Sequence, residues 1–288
     1  MTETDFAFLR LLLQQRSGLS LTADKRYLVE SRLGILCRRH GLADIGTLVH
    51  RLRAAPDPDL EGAVVDAMTT NETLFFRDQT PFTLFQDVVL PERLAANAAS
   101  RSLRIWCAAV SSGQEAYSLA MLVDEMAERL AGWKIDILGT DISAEILEKA
   151  RAGLYSQHEI QRGLPIRMLL KHFRQEGDRW QLSQRIRAMV TFRQHNLLER
   201  NDQFGRFDVI FCRNVLIYFD LQTKMKVLER LSPRLVPDGA FILGATETVL
   251  GLTSMLTADP RHRGLYRHVS MAAAAEAGRG ENAPPLRA

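Results

Sequence analysis

Residues 104–121, Arg-Ile-Trp-Cys-Ala-Ala-Val-Ser-Ser-Gly-Gln-Glu-Ala-Tyr-Ser-Leu-Ala-Met, constrain the fold more than any other stretch of the chain. An apolar run ends in small residues, turns at Gly113, and resumes with Tyr117, Leu119, Ala120 and Met121 at helical spacing. A buried strand passing through a tight turn into a helix reads this way, and the backbone of such a turn can approach a ligand closely. Ile135-Asp-Ile-Leu-Gly-Thr-Asp141 adds a second apolar strand that closes on an acid. A carboxylate at the tip of the second strand of such a unit is placed to accept hydrogen bonds from both hydroxyls of a ribose.

Beyond Leu103, strands and helices alternate. Ile105–Ala109, Ile135–Thr140, Phe207–Cys212, Ala240–Gly244 and Leu265–Val269 read as strands, and Ser112–Leu130, Ala144–Ala152 and Gln222–Leu235 as helices. That order predicts an α/β domain of Rossmann-like build, with a parallel sheet covered by helices on both faces. One stretch departs from it. In Phe173-Arg-Gln-Glu-Gly-Asp-Arg-Trp-Gln-Leu182 apolar positions flank Glu-Gly-Asp, a hairpin signal, and Val190-Thr-Phe192 follows. Residues 155–195 are therefore expected to form an inserted small antiparallel β-subdomain. Residues 1 to about 70 show helix-spaced apolar positions and no strand pattern, with Thr22 and Asp24 as candidate caps of a second helix and Ala54-Ala-Pro-Asp-Pro-Asp59 as a breaker. The expected organisation is an all-helical N-terminal domain and linker over 1–80, the α/β domain over 81–270, and a disordered tail over 271–288.

The bulk properties exclude several classes. Of 288 residues, 46% are hydrophobic and 25% charged, an ordinary globular balance. No apolar run approaches a membrane span. The N-terminus starts acidic and Arg10 breaks its apolar run, so no signal peptide is read. Cys37, Cys107 and Cys212 are far apart and form no CxxC pair. They fit reduced thiols in a cytoplasmic protein and no metal site. A net charge of +3 is too small to argue for nucleic acid.

The Ala108–Gly113 turn is neither a GxGxxG nor a P-loop. A site with no pyrophosphate to cradle has less use for three glycines. S-adenosylmethionine carries no phosphate, only a ribose, an adenine and a charged methionine tail. Glu115, just past the turn, can meet that tail's positive charge; it can equally be an acid stabilised in the first turn of a helix. Arg213 and Asn214 follow the strand Val209–Cys212 at its carboxyl end, where open parallel sheets bind ligands, and Tyr218 lies four residues on. A plain cap at Asn214 and packing at Tyr218 are the alternative. The Asn/Asp-Pro-Pro-aromatic tetrad of amino methylators is missing, and Cys212-Arg-Asn-Val occupies its slot. Within Met68–Asp78, the polar Asn71, Thr73 and Arg77 stand beside Leu74, Phe75 and Phe76 at the junction of the two parts. This is either a ligand site or an N-cap followed by a core helix. Lys25, Arg32 and Arg39 recur every seven residues and so share one helix side. Such a face suits an acidic protein surface or is simply solvated, and without interleaved aromatics it does not suit single-stranded nucleic acid.

Taken together these segments resemble the CheR family, the chemoreceptor glutamate O-methyltransferases. The resemblance is carried by Thr69-Thr-Asn-Glu-Thr-Leu-Phe-Phe-Arg77, by Arg104 through Ala120, by Gly139-Thr-Asp-Ile142 with Glu148-Lys-Ala-Arg151, and by Phe207 through Asp220. It implies an all-helical N-terminal domain facing the receptor, a Rossmann-like S-adenosylmethionine-dependent methyltransferase domain, and a small antiparallel β-subdomain inserted in it. Position by position, it implies that Asn71, Thr73 and Arg77 contact the cofactor from the linker, with Glu115 at its polar tail and Asp141 at its ribose. Asn196 and Leu197 would lie along the adenine, and Arg213 and Asn214 would close the site. Arg77 and Tyr218 are the expected orienting groups at the methyl. The family's Gly-Glu-Glu-Pro-Tyr turn reads Gly113-Gln-Glu-Ala-Tyr117 here, and its closing Ser-Glu reads Thr246-Glu247. The implied partners are the cytoplasmic helices of methyl-accepting chemoreceptors, met by the Lys25, Arg32 and Arg39 face, with no nucleic acid, no membrane insertion and a monomeric enzyme. The residues themselves also admit a methyltransferase of the same build with another acceptor, and a non-catalytic binder of the cofactor.

Overall fold

The computed structural model describes residues 1–269. Four helices open the chain: α1 (Glu3–Ser17), α2 (Arg26–Arg39), α3 (Ile45–Ala54) and α4 (Pro58–Met68). Local chemistry sets their starts. Thr2 and Asp5 form a capping box on α1, Asp44 caps α3, and Asp57 caps α4 with Pro58 at its first position. The expected cap of α2 is not formed. A short 3₁₀ turn fills Ala23–Lys25, the Thr22 side chain caps nothing, and α2 begins uncapped at Arg26. Phe6, Leu9, Leu13, Val29, Leu33, Leu48 and Val64 bury together as a separate core. The linker from Thr69 to Gln79 is not helical. It leads into α5 (Thr80–Leu84), a π turn, and α6 (Leu90–Ala96).

A seven-stranded sheet follows in the order β6-β2-β1-β7-β8-β10-β9. Its strands are β1 (Ser102–Ala108), β2 (Lys134–Asp141), β6 (Val190–Gln194), β7 (Phe207–Cys212), β8 (Leu235–Leu243), β9 (Leu256–Ala258) and β10 (Leu265–His268). Side chains alternate between two cores along β1: Ile105 and Cys107 face one, Trp106 and Ala108 the other. Helix α7 (Gln114–Glu125) and α8 (Ala144–Ala152) cover the first face, and α12 (Leu221–Leu231) the second. Both faces being covered, the middle strands carry continuous buried apolar runs, Ile105–Ala108 in β1 and Val209–Cys212 in β7, as parallel strands buried on both sides do. The sheet is nevertheless mixed. β10 runs antiparallel to β8, because the segment between them contains no crossover helix, and a parallel return requires one.

The inserted element is a three-stranded antiparallel sheet, β3 (Leu154–Ser156), β4 (Phe173–Glu176) and β5 (Arg179–Leu182), in the order β3-β5-β4. Short helices α9 (Gln157–Gln161), α10 (Ile166–His172) and α11 (Gln184–Arg187) accompany it. Val190-Thr-Phe192, expected within residues 155–195 as part of the insertion, lies instead in β6, paired in parallel with β2. Alternating burial fits any half-covered edge strand, and the open edge of β2 supplies the partner. Residues 271–288, where a disordered tail is expected, lie outside the described residues.

Candidate active site

The chain leaves β1 for the β2 side of the sheet and returns as β7 on the other side. This reversal opens a crevice beyond the carboxyl ends of β1 and β7, where open α/β sheets place ligands. A cleft of about 1000 Å³, its open mouth included, occupies that position. Such a volume suits a small-molecule site. Every residue expected from the sequence lines it: Asn71, Thr73 and Arg77 from the linker, Glu115 from α7, Asp141 at the tip of β2, Asn196 and Leu197 after β6, and Arg213, Asn214 and Tyr218 after β7.

The turn after β1 is strained. Ala109 and Ser111 have φ of 62° and 53°, values that cost non-glycine residues about 1–3 kcal/mol each, and Gly113 continues at 93°. A Cβ on Gly113 would also stand 3.1 Å from Ala150 and Tyr117. Asp141 holds this turn. Its Oδ2 accepts from the Ser111 amide at 2.8 Å and its Oδ1 from the Ser143 amide at 3.1 Å. Burial pushes the Asp141 carboxyl above the usual carboxylate range, and those amides pull it back. A pinned carboxylate at this place offers its remaining lone pairs to a diol.

Arg213, only 5% exposed, is the hub of the far wall. Its Nη1 donates to Glu115 Oε2 at 2.7 Å, and its Nη2 donates to Asp78 Oδ2 at 2.9 Å and to the Arg77 carbonyl at 2.8 Å. Glu115 is thus not a free carboxylate awaiting a cation. Burial raises its carboxyl while Arg213 opposes the rise. Arg77, by contrast, donates only to the Glu72 carbonyl and has no carboxylate partner among the described residues. It is the cation at this cleft available to an incoming acid.

Asn214 adopts a left-handed φ of 58°. What holds it there is Glu247, whose Oε2 accepts from the amides of Asn214 (2.7 Å) and Gly244 (2.9 Å) and whose Oε1 accepts from those of Val215 (3.0 Å) and Leu216 (2.8 Å). The N-terminal domain closes the remaining side. Ser17 and Leu19 line the cleft, Leu19 forms a bridge with Phe219, and the Ser20 amide donates to the Tyr218 carbonyl at 2.9 Å. The Asn196 side chain turns toward that domain as well, donating to the Arg16 carbonyl at 2.6 Å while its oxygen takes the Leu198 amide. Asn196 therefore meets the cleft with its side-chain polar groups already engaged.

Two groups of site residues escape a sequence reading. Ser17, Leu19 and Phe219 reach the cleft through contacts between distant segments, and no local pattern marks them. Ser111 and His195 have a signal only in their proximity to Asp141: the His195 amide donates to the Asp141 carbonyl at 2.9 Å. The expected basic face also needs correction. Arg32 donates to the carbonyls of Met68 (2.8 Å) and Thr69 (2.9 Å) and so braces the start of the linker, while Lys25 lies 3.5 Å from Asp24. Of the three, Arg39 is exposed without an ion pair among the described residues.

The chain is similar to known proteins over most of its length. The family description "CheR methyltransferase, SAM binding domain" matches residues 71–263, and "CheR methyltransferase, all-alpha domain" matches residues 4–69. Chemotaxis protein methyltransferase Cher2 of Pseudomonas putida is 43% identical over 252 residues, 86% of this chain and 91% of that protein. The chemotaxis protein methyltransferase of Vibrio parahaemolyticus is 44% identical over 244 residues, 84% and 88% of the two chains. That of Escherichia coli is 35% identical over 262 residues, 89% and 88%.

Proposed function

Because the chain belongs to the CheR methyltransferase family, we propose that it transfers the methyl group of S-adenosylmethionine to glutamate side chains of chemoreceptors, forming γ-glutamyl methyl esters. The convergence of Asp141, Arg77 and the Glu115–Arg213 pair on one cleft at the sheet's switch point carries this reading. Asp141 would hold the ribose hydroxyls. Ile142 and Leu197 would supply apolar wall for the adenine, and Asn71, Thr73 and Glu115 would meet the amino-acid tail. Bound S-adenosylmethionine supplies a methyl group on a positively charged sulfur, which a carboxylate oxygen takes as the carbon–sulfur bond breaks and S-adenosylhomocysteine departs.

A glutamate is already ionised at neutral pH, so no general base is required of the chain. The protein's share is positioning and exclusion of water. Arg77 draws the acceptor carboxylate in, Tyr218 borders the path to the methyl, and α1 with Leu19 covers the site from above. In this reading residues 1–80 form a receptor-facing unit and residues 81–270 the methyltransferase unit, working as a cytoplasmic monomer. No helix among the described residues is long and apolar enough to cross a membrane. Contact with the receptor through this basic face then falls chiefly to Arg39 on α2 and to Lys25 in the turn before it, since Arg32 is committed to the linker. Tandem mass spectrometry of receptor peptides after incubation with S-adenosylmethionine tests the proposal. Methyl groups on glutamate are expected. Methyl groups confined to lysine, arginine or a small molecule would refute it.

A further inference from the structure

Three large apolar side chains stand in solvent around one seam between the two domains: Leu11 (53% exposed), Ile217 (47%) and Leu221 (63%). The seam is fastened by Gln14 Nε2, which donates to Asp220 Oδ2 at 2.7 Å. Leu11 lies three residues before Gln14 and therefore on the same side of α1. Leu221 directly follows Asp220, and Ile217 directly precedes Tyr218, a residue of the cleft wall. The three apolar side chains thus flank the Gln14–Asp220 contact from both domains, one of them next in sequence to a residue of the cleft.

Charge narrows what can lie on it. Arg10 adjoins Leu11, and Lys224 stands three residues past Leu221 on the same side of α12; neither has an ion-pair partner among the described residues. The acid between them, Asp220, is committed to the Thr223 amide and to Gln14. Another exposed apolar pair, Ile166 (67%) and Leu170 (74%) on α10, differs on this point: the neighbouring Arg167 and Lys171 are both paired with Glu125. That pair also lies away from the cleft.

We propose that Leu11, Ile217 and Leu221 seat the apolar stripe of the receptor helix that carries the acceptor glutamate, with Arg10 and Lys224 meeting the acids beside that stripe. The inference rests on the receptor-methylating reading given above and adds to it the surface that delivers the acceptor. A helix with glutamates next to an apolar stripe satisfies both features at once, and resting there it brings one carboxylate to Tyr218 and Arg77.

The test is initial-rate methyl transfer against receptor concentration in membranes, paired with S-adenosylhomocysteine titration by calorimetry. The enzymes compared are the unaltered chain, an Ile217→Ser/Leu221→Ser variant, a Leu11→Ser variant, Lys224→Glu, and Ile166→Ser/Leu170→Ser. The Ile217/Leu221 variant is expected to raise KM for receptor about tenfold or more, with nucleoside affinity held within about twofold. Leu11→Ser and Lys224→Glu should each move KM the same way by a smaller factor, and the α10 variant should not move it. Since Leu11 belongs to the other domain, its effect stands even if Ile217→Ser disturbs the loop beside Tyr218. Receptor KM unchanged in the Ile217/Leu221 and Leu11 variants, or raised only by the α10 variant, overturns the inference while leaving the methyltransferase reading intact. An unaltered chain that binds the nucleoside but methylates no receptor overturns the reading beneath it.

Discussion

Replacing Glu247 by glutamine changes one oxygen to an amide nitrogen and nearly preserves shape, yet it should dismantle the loop that presents Arg213, Asn214 and Tyr218. Each carboxylate oxygen takes two backbone amides, from Asn214 and Gly244 on one side and from Val215 and Leu216 on the other. Glutamine keeps one acceptor and confronts the second pair of amides with donors of its own. Two hydrogen bonds to a charged group are lost, at about 1.5–3 kcal/mol each, so about 3–6 kcal/mol is at stake before the loop relaxes. Relaxation and entering water reduce this to roughly 2–4 kcal/mol, which in a domain of this size lowers Tm by about 4–16 °C. Asn214 would lose the contact that holds its left-handed backbone, and the affinity for S-adenosylhomocysteine should fall by about tenfold or more, near 1.4 kcal/mol. Differential scanning calorimetry and isothermal titration read the two effects separately. A Glu247→Gln protein with a Tm within about 2 °C of the parent and unchanged affinity would refute the argument that this carboxylate holds the loop.

Three other substitutions probe the remaining parts of the site. Asp141→Asn should weaken nucleoside binding by about 1.5–3 kcal/mol, the worth of hydrogen bonds to a charged acceptor. Because burial raises the Asp141 carboxyl, it protonates at a higher pH than an ordinary aspartate. Its contribution to the stability of the free protein is therefore fully present below the ordinary aspartate pKa and is lost as pH climbs through the raised value. Binding runs the other way: affinity should drop on acidification, and Asp141→Asn should flatten that profile in titrations at several pH values. Tyr218→Phe should lower turnover more than it weakens cofactor binding, and equal losses in kinetics and calorimetry would reduce Tyr218 to a binding residue. Gly18→Ala places a Cβ 2.8 Å from Thr223 on a backbone with φ of 77°, where alanine costs about 1–2 kcal/mol, so it should loosen α1 from the cleft and increase hydrogen exchange at the Ser20 amide.

How much of this was legible in the sequence follows from which interactions are local. The strand–turn–helix at Gly113, the acid ending β2 and the Arg213-Asn214 pair ending β7 are written as short patterns, because neighbours in sequence set their geometry. The register of parallel strands then brings their ends together: Cys107 is level with Gly139 and with Phe211. The resemblance added the linker and adenine-side residues, which local patterns alone left ambiguous. What remained hidden depends on distant partners. The resemblance marks Glu247 as a family position, but its role, holding amides more than thirty residues away, shows only in the fold. Arg32 fits a seven-residue basic stripe, but the carbonyls of Met68 and Thr69 claim it. Val190–Phe192 fits either sheet, and only the unfilled edge of β2 decides between them.

Transfer of labelled methyl from S-adenosylmethionine to receptor-containing membranes, followed by mild alkali, tests the central claim most directly. Methyl esters of glutamate hydrolyse in alkali, so the label should leave the protein as volatile methanol, and Asp141→Asn should release far less. Label that stays on the protein through alkali would mean a nitrogen acceptor and would contradict the account.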